Sequence, residues 1–150
     1  MTVCESGKCD GCYACLDVCP NNAIDICDEI DFYIPKIDEH KCNNCGACRN
    51  VCQRCNAPKL IETQNYYQGW AIDEDIRKNG SSGGVASSII LSFLENEGVV
   101  CSCYLEKGEF IFKIEDRQEK FSDFKGSKYI KSNPSGVYTK IIGELVNNRK

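Results

Sequence analysis

Eight of the chain's 13 cysteines stand in two quartets of identical step, and this pattern constrains the fold more than any other feature. The first runs Cys9-x2-Cys12-x2-Cys15-x3-Cys19, and the second Cys42-x2-Cys45-x2-Cys48-x3-Cys52. At an offset of 33, residues 8–19 and 41–52 agree at seven of twelve positions, including Ala14/Ala47 and Val18/Val51. This is an internal duplication. Cysteine at such density belongs to a disulfide scaffold or to a metalloprotein. An odd count rules out complete internal pairing. The first residues carry none of the apolar run that a secretory leader needs, so the expected compartment is the cytoplasm.

The repeated step has a physical reason. Two residues between cysteines let the chain curl around a cube, so three thiolates reach three corners of a four-iron, four-sulfur cluster. Backbone N–H groups of the same loop then face the cluster sulfurs and offset their negative charge. Gly11, Ala14, Gly46 and Ala47 are small where the backbone must come close. The fourth cysteine, three residues on, points away and ligates the other cluster. That crossing assigns Cys9, Cys12, Cys15 and Cys52 to one 4Fe–4S cluster, and Cys42, Cys45, Cys48 and Cys19 to its partner. A single quartet also reads as a zinc knuckle, which leaves a zinc or redox-sensing interaction module as an alternative. A structural zinc, however, takes two separated pairs of ligands, and the doubled step favours iron–sulfur.

Charge narrows the partners. Eighteen basic against 22 acidic residues give a net charge of −4, which argues against a nucleic-acid binder working through a basic surface. Residues 1–65 hold six Lys/Arg and ten Asp/Glu, whereas residues 66–150 hold twelve of each. The acidic excess thus lies in the cysteine-rich part, where it either steers a basic redox partner or forms a plain solvated face. No stretch approaches the roughly 18 apolar residues of a membrane span.

Five cysteines stand outside the quartets. Cys4, Cys27, Cys55, Cys101 and Cys103 read as structural or free thiols, with redox sensing as the alternative. Cys55 is also a substitute ligand by its Cys52-x2-Cys55 spacing. Cys101 and Cys103, two apart in an apolar run, face the same way in a strand with Val99 and Leu105. The lone His40 reads as a solvent-facing loop residue.

Residues 5–60 closely resemble the two-cluster bacterial ferredoxins. The resemblance is carried by Cys19-Pro20-Asn21-Asn22-Ala23-Ile24, Pro35-Lys36-Ile37-Asp38 and Lys41-Cys42. It implies a pseudo-twofold fold of short β-hairpins and two small helices around two clusters. Ala23-Ile24 and Ile34-Pro35-Lys36-Ile37 supply apolar cover. The departure is Gln53, where the family has proline after the fourth cysteine.

Beyond Pro58 the character changes. Residues 66–72 are aromatic and apolar enough for a strand. Asn79-Gly80-Ser81-Ser82-Gly83-Gly84 then precedes a helical pattern, in which Val85, Ile89 and Phe93, with Ala86, Ile90 and Leu94, share a face. Ser81 or Ser82 caps its start and Gly98 ends it. Residues 99–105 and 110–115 read as strands joined by a turn at Glu106-Lys107-Gly108-Glu109. A last helix carries Val137, Ile141, Ile142, Leu145 and Val146 on one stripe. The Ser/Gly loop is either an ordinary helix start or a phosphate cradle.

This second part resembles the N-terminal region of the coenzyme F-420 hydrogenase/dehydrogenase beta-subunit family. The resemblance lies in Asp75-x-Arg77, Gly80-Ser81-Ser82-Gly83-Gly84-Val85, Gly98-Val99-Val100, and Phe124-Lys125-Gly126-Ser127-Lys128-Tyr129-Ile130. It implies an iron–sulfur flavoprotein that passes electrons through its clusters to FAD, with Ser82, Gly83, Lys128 and Tyr129 as part of a cofactor site. Relatives continue well past residue 150, so the chain is expected to be a truncated piece whose exposed sheet edge drives self-association. The expected fold is α+β: a ferredoxin-like 2×(4Fe–4S) module over residues 1–62, followed by a partial α/β domain over 63–150. The expected function is electron transfer into a flavin oxidoreductase, working with a redox partner protein or flavin domain. The alternative is a stand-alone ferredoxin-type carrier that docks a partner through residues 66–150.

Overall fold

In the computed structural model, which describes residues 1–147, the duplicated sequence is also a duplicated backbone. Helix α1, Ala14–Asp17, and helix α2, Ala47–Val51, occupy equivalent places in the two copies. Each follows a residue in the left-handed region, Tyr13 at φ 61° and Gly46 at φ 77°. Two residues earlier, Gly11 at φ 67° and Asn44 at φ 58° match in the same way. Hydrogen bonds repeat at the same offset. Leu16 N–H donates to Tyr13 O and Arg49 N–H to Gly46 O, while Asn22 N–H donates to Cys19 O and Cys55 N–H to Cys52 O. Short helices with left-handed residues before them make tight loops whose N–H groups converge, a backbone shape suited to anions.

Strands β1, Ile24–Asp28, and β2, Tyr33–Ile37, form an antiparallel hairpin between the copies, in register Ile24↔Ile37 and Ile26↔Pro35. Residues Thr2 and Cys9 add single bridges to Lys36 and Tyr33, and Val3 N–H donates to Pro35 O at 3.0 Å. The core gathers Val3, Cys15 and Ile24, with Leu16, Ile26, Ile37 and the quartet residues Cys19, Cys48 and Cys52 packed against it. Ala23 and Pro35 are fully covered, as the apolar-cover expectation has it. Among the described residues, no strand follows Cys52 in this unit. There the chain runs past Pro58 to Leu60 and Ile61, which are exposed.

This first unit comprises Met1–Ile61 together with Asn133–Tyr138. The distant segment is held by Asp17, whose carboxylate accepts the Gly136 N–H at 2.7 Å and the Tyr138 N–H at 3.0 Å. A carboxylate on free N–H groups at a helix start is a favourable cap.

The second unit takes in Glu62–Ser132 and the residues from Thr139 onward. Its helices are α3, Glu74–Asn79, and α4, Val85–Glu95, with a 3-10 turn at Ser82–Gly84 between them. Strands β3, Val100–Glu106, and β4, Glu109–Glu115, pair antiparallel around the turn Lys107-Gly108, both residues at positive φ as a two-residue hairpin requires. A second 3-10 segment, Gln118–Phe124, seats Phe124 edge-on against Tyr104 at 6.0 Å. Helix α5 spans Val137–Val146.

Several expectations need correction here. Residues 66–72 form no strand: Tyr66, Tyr67 and Ile72 are exposed, no partner strand lies beside them, and the ordered contact is Ala71 N–H to Gly83 O. The sheet of this unit is an antiparallel hairpin, and the whole is mixed α+β. On α4 the buried side runs through Ser87 and Leu94, and Val85, Ile89 and Phe93 face outward, because the stripe that meets the hairpin side is set one residue round the helix. On α5 only Val137 of the expected stripe is buried, whereas Ile142, Leu145 and Val146 are exposed. No serine side chain caps α4. Gly84 precedes it, and Ser81 Oγ instead accepts the Ser127 N–H at 2.9 Å. Helix α4 ends at Glu95, with Glu97 left-handed at φ 59° and Gly98 N–H bonded to Phe93 O at 2.7 Å.

Gly11 and Gly46 sit at equivalent turns with unequal surroundings. A Cβ on Gly11 meets the Tyr33 ring at 2.4 Å, whereas a Cβ on Gly46 meets nothing within 4 Å. Gly46→Ala should therefore lose only the left-handed penalty, about 1–2 kcal/mol. Gly11→Ala adds a clash to that penalty and should lower the thermal midpoint further, as paired melting curves by circular dichroism will measure.

Candidate metal centres

The eight quartet cysteines gather around two cavities in the first unit. Cys9, Cys12, Cys15 and Cys52 line one, with an empty volume of about 340 Å³. Cys42, Cys45, Cys48 and Cys19 line the other, at about 320 Å³. The crossing arises from the local backbone. The three stepped cysteines lie on one loop and the first turn of its helix, and the fourth follows the helix and faces the other copy's cavity.

The surroundings are dry and largely apolar. Ala23, Ile24 and Ile37 stand in one cavity wall, and Val3, Tyr13 and Pro35 in the other. Backbone donors already reach two of the sulfurs: Ala23 N–H lies 3.3 Å from Cys19 Sγ and Asn44 N–H 3.4 Å from Cys42 Sγ. Among the described residues, no three Cys, His, Asp or Glu side chains converge on a single ion position. No disulfide is formed; all 13 cysteines are free.

Burial dominates the thiol chemistry. It pushes the Cys15 thiol up to about 12, helped by the neighbouring Cys12 and Cys9. It does the same to Cys4, up to about 12, with Cys52 and Cys9 adding to the shift. Burial also raises Cys48. A buried thiol beside other thiols resists ionisation until a cation offsets the charge, and iron bound to the sulfur is such a cation. The donor set of each cavity, four cysteines and no carboxylate or imidazole, fits an iron–sulfur cluster.

Gln53 and Arg54 lock the two copies together beside the first cavity. Gln53 Nε2 donates to Asp10 Oδ2 at 2.7 Å, and Arg54 grips both oxygens of the same carboxylate, with Nε at 2.7 Å. The Arg54 hydrogen bonds hold the Asp10 carboxyl below its ordinary range. The pair is largely solvent-exposed, so solvent screens it and its contribution to stability is modest. Gln53 thus has a use where the resemblance has proline: its amide ties the Cys52 end to the Cys9 loop.

The other predicted site residues lie in two segments of the second unit. Ser82 and Gly83 lie in the 3-10 turn, where a Cβ on Gly83 meets Trp70 Cβ at 3.1 Å. Lys128 Nζ donates to Lys125 O at 2.6 Å and Gly126 O at 3.1 Å, within its own loop. Tyr129 is almost fully exposed. The Ser81–Ser127 bond links the two segments, but none of the four residues lines either cysteine cavity or the apolar groove along α4. His40 is exposed, as expected. Cys101 and Cys103 lie in β3, opposite Ile114 and Phe112. The residue that motif reading passed over is Cys4, which lines the first cavity. Its signal was present in the offset: 33 positions on stands Ile37, which lines the other cavity.

A protein with eight thiols sorted around two such cavities is of the dicluster iron–sulfur class. A family model described as a 4Fe-4S dicluster domain matches residues 8–56. A second, coenzyme F-420 hydrogenase/dehydrogenase, beta subunit N-term, matches residues 66–140, and the chain belongs to that family. The order of the two is the one the sequence resemblances give. No curated protein matches the chain. Among the described residues, no helix is long and apolar enough to cross a membrane.

In metal-free protein at pH 8, exposed Cys45 should alkylate faster than Cys15, whose burial both shields the sulfur and raises its thiol pKa. Time-resolved labelling with iodoacetamide, read by peptide mass spectrometry, measures both rates.

Proposed function

We propose that this chain carries electrons through two 4Fe–4S clusters and serves as the electron-input segment of an oxidoreductase. The observation that carries the reading is the three-plus-one crossing. Cys9, Cys12, Cys15 and Cys52 hold one cluster, and Cys42, Cys45, Cys48 and Cys19 hold the other. When bound, the clusters supply one-electron redox chemistry. The protein's own residues do the rest. Apolar walls from Ile24, Ile37 and Pro35 limit water at the sulfurs. N–H donors at Ala23 and Asn44 weaken the negative charge on Cys19 and Cys42, which raises the potential of the cluster they hold. Cys19 and Cys52 each join one copy's helix to the other copy's cluster, which keeps the two centres within one small unit.

The functional division we propose follows residues 1–62 as the cluster domain and 63–150 as the family's N-terminal domain. Support for an oxidoreductase role is the family match over 66–140. The acceptor we propose is a flavin held by a partner protein or a further domain, with Ser82, Gly83, Lys128 and Tyr129 as at most part of its site. If that acceptor is absent, the same clusters serve a stand-alone carrier.

Anaerobic preparation should yield about eight irons and eight acid-labile sulfides per chain, with broad visible absorbance bleached by dithionite. Zinc without sulfide would overturn the electron-transfer reading. Flavin bands in the same spectrum would place a flavin on this chain, against the expectation above.

A further inference from the structure

The two cavities are built from duplicated sequence, yet their walls differ at one position that bears on metal binding. Where the second cavity has Ile37, the first has Cys4, 33 residues earlier. The bridge of Thr2 to Lys36 and the bond from Val3 N–H to Pro35 O deliver Cys4 to that wall. It is only 7% exposed. It lines the same cavity as Cys52. The first cavity therefore has five sulfurs and the second has four.

We propose that Cys4 is a fifth sulfur donor of the first cavity, able to take the iron corner that Cys52 takes. The inference rests on the cluster reading above. Ligation by Cys4 requires loss of its thiol proton, and the Cys52 sulfur, in the same cavity wall, accepts that proton as it leaves the metal. No oxidant or reductant enters the exchange. Cys55 is the competing candidate, since it too reaches Cys52. Its S–H, however, donates to Val3 O at 3.2 Å, its side chain is exposed, and it does not line the cavity. The second cavity has no such reserve among its lining residues, and so provides an internal control.

The test is iron and sulfide content of the full chain after anaerobic reconstitution. Wild type and Cys52→Ala should both hold about eight irons, and Cys4→Val/Cys52→Ala about four. Cys55→Val/Cys52→Ala should stay near eight, and Cys19→Ala should fall to about four. Cys52→Ala falling to four in a folded chain overturns the proposal, as does the Cys4→Val/Cys52→Ala chain keeping eight. Should Cys52→Ala fail to fold, Cys4→Val in the otherwise unchanged chain decides the matter. Four of its eight irons should pass to excess ferrous chelator about tenfold faster than in wild type, and equal rates overturn the proposal. A wild-type chain without iron sinks the electron-transfer reading itself, an outcome distinct from either.

Discussion

The first unit depends on an interior built largely from cysteine side chains. Val3, Cys15 and Ile24 form its packed centre, and three more quartet cysteines press against them. A unit of about 60 residues with so little aliphatic core sits at the size where a bound metal commonly completes the fold. The same burial that holds Cys15 protonated in the empty protein makes cluster binding and folding one coupled process. Apolar walls, donor N–H groups and small residues in the loops all serve that coupling. The hairpin β1–β2 and the Asp10–Arg54 grip set the walls at the right separation.

Duplication shapes how evenly that coupling is spread. The left-handed residues, the helix starts and the loop hydrogen bonds repeat at the same offset in both copies. Side chains around them do not. Tyr33 covers Gly11 but nothing covers Gly46, Arg54 and Gln53 bind Asp10, and Cys4 replaces an isoleucine. Identical ligand geometry in unlike surroundings is the means by which two clusters of one type acquire different potentials.

The cysteine step was readable because it is local: loop, helix and fourth cysteine lie within eleven residues, and the ligand pattern is written directly in the spacing. The ferredoxin-like part and the hairpins at 24–37 and 100–115 were legible for the same reason. What failed depends on long-range partners. Residues 66–72 have strand composition but meet no strand to pair with. Helix α4 has apolar residues on more than one face, so its periodicity did not fix which face is buried. Ser81 was read as a cap, yet its hydroxyl bonds a segment 46 residues away. Cys4 escaped notice because it lies outside the motif and reaches the cavity only through pairing with β2.

Asp17 lies between Cys15 and Cys19, and its carboxylate caps the backbone at Gly136 and Tyr138. That contact spans 119 residues of chain. During synthesis the cysteine loops and the hairpin leave the ribosome long before the segment that closes on them. Until Tyr138 emerges, the nascent cluster unit has a solvent-facing carboxylate at α1 in place of a finished edge. The ligand loops are therefore synthesised well ahead of the segment that completes their unit.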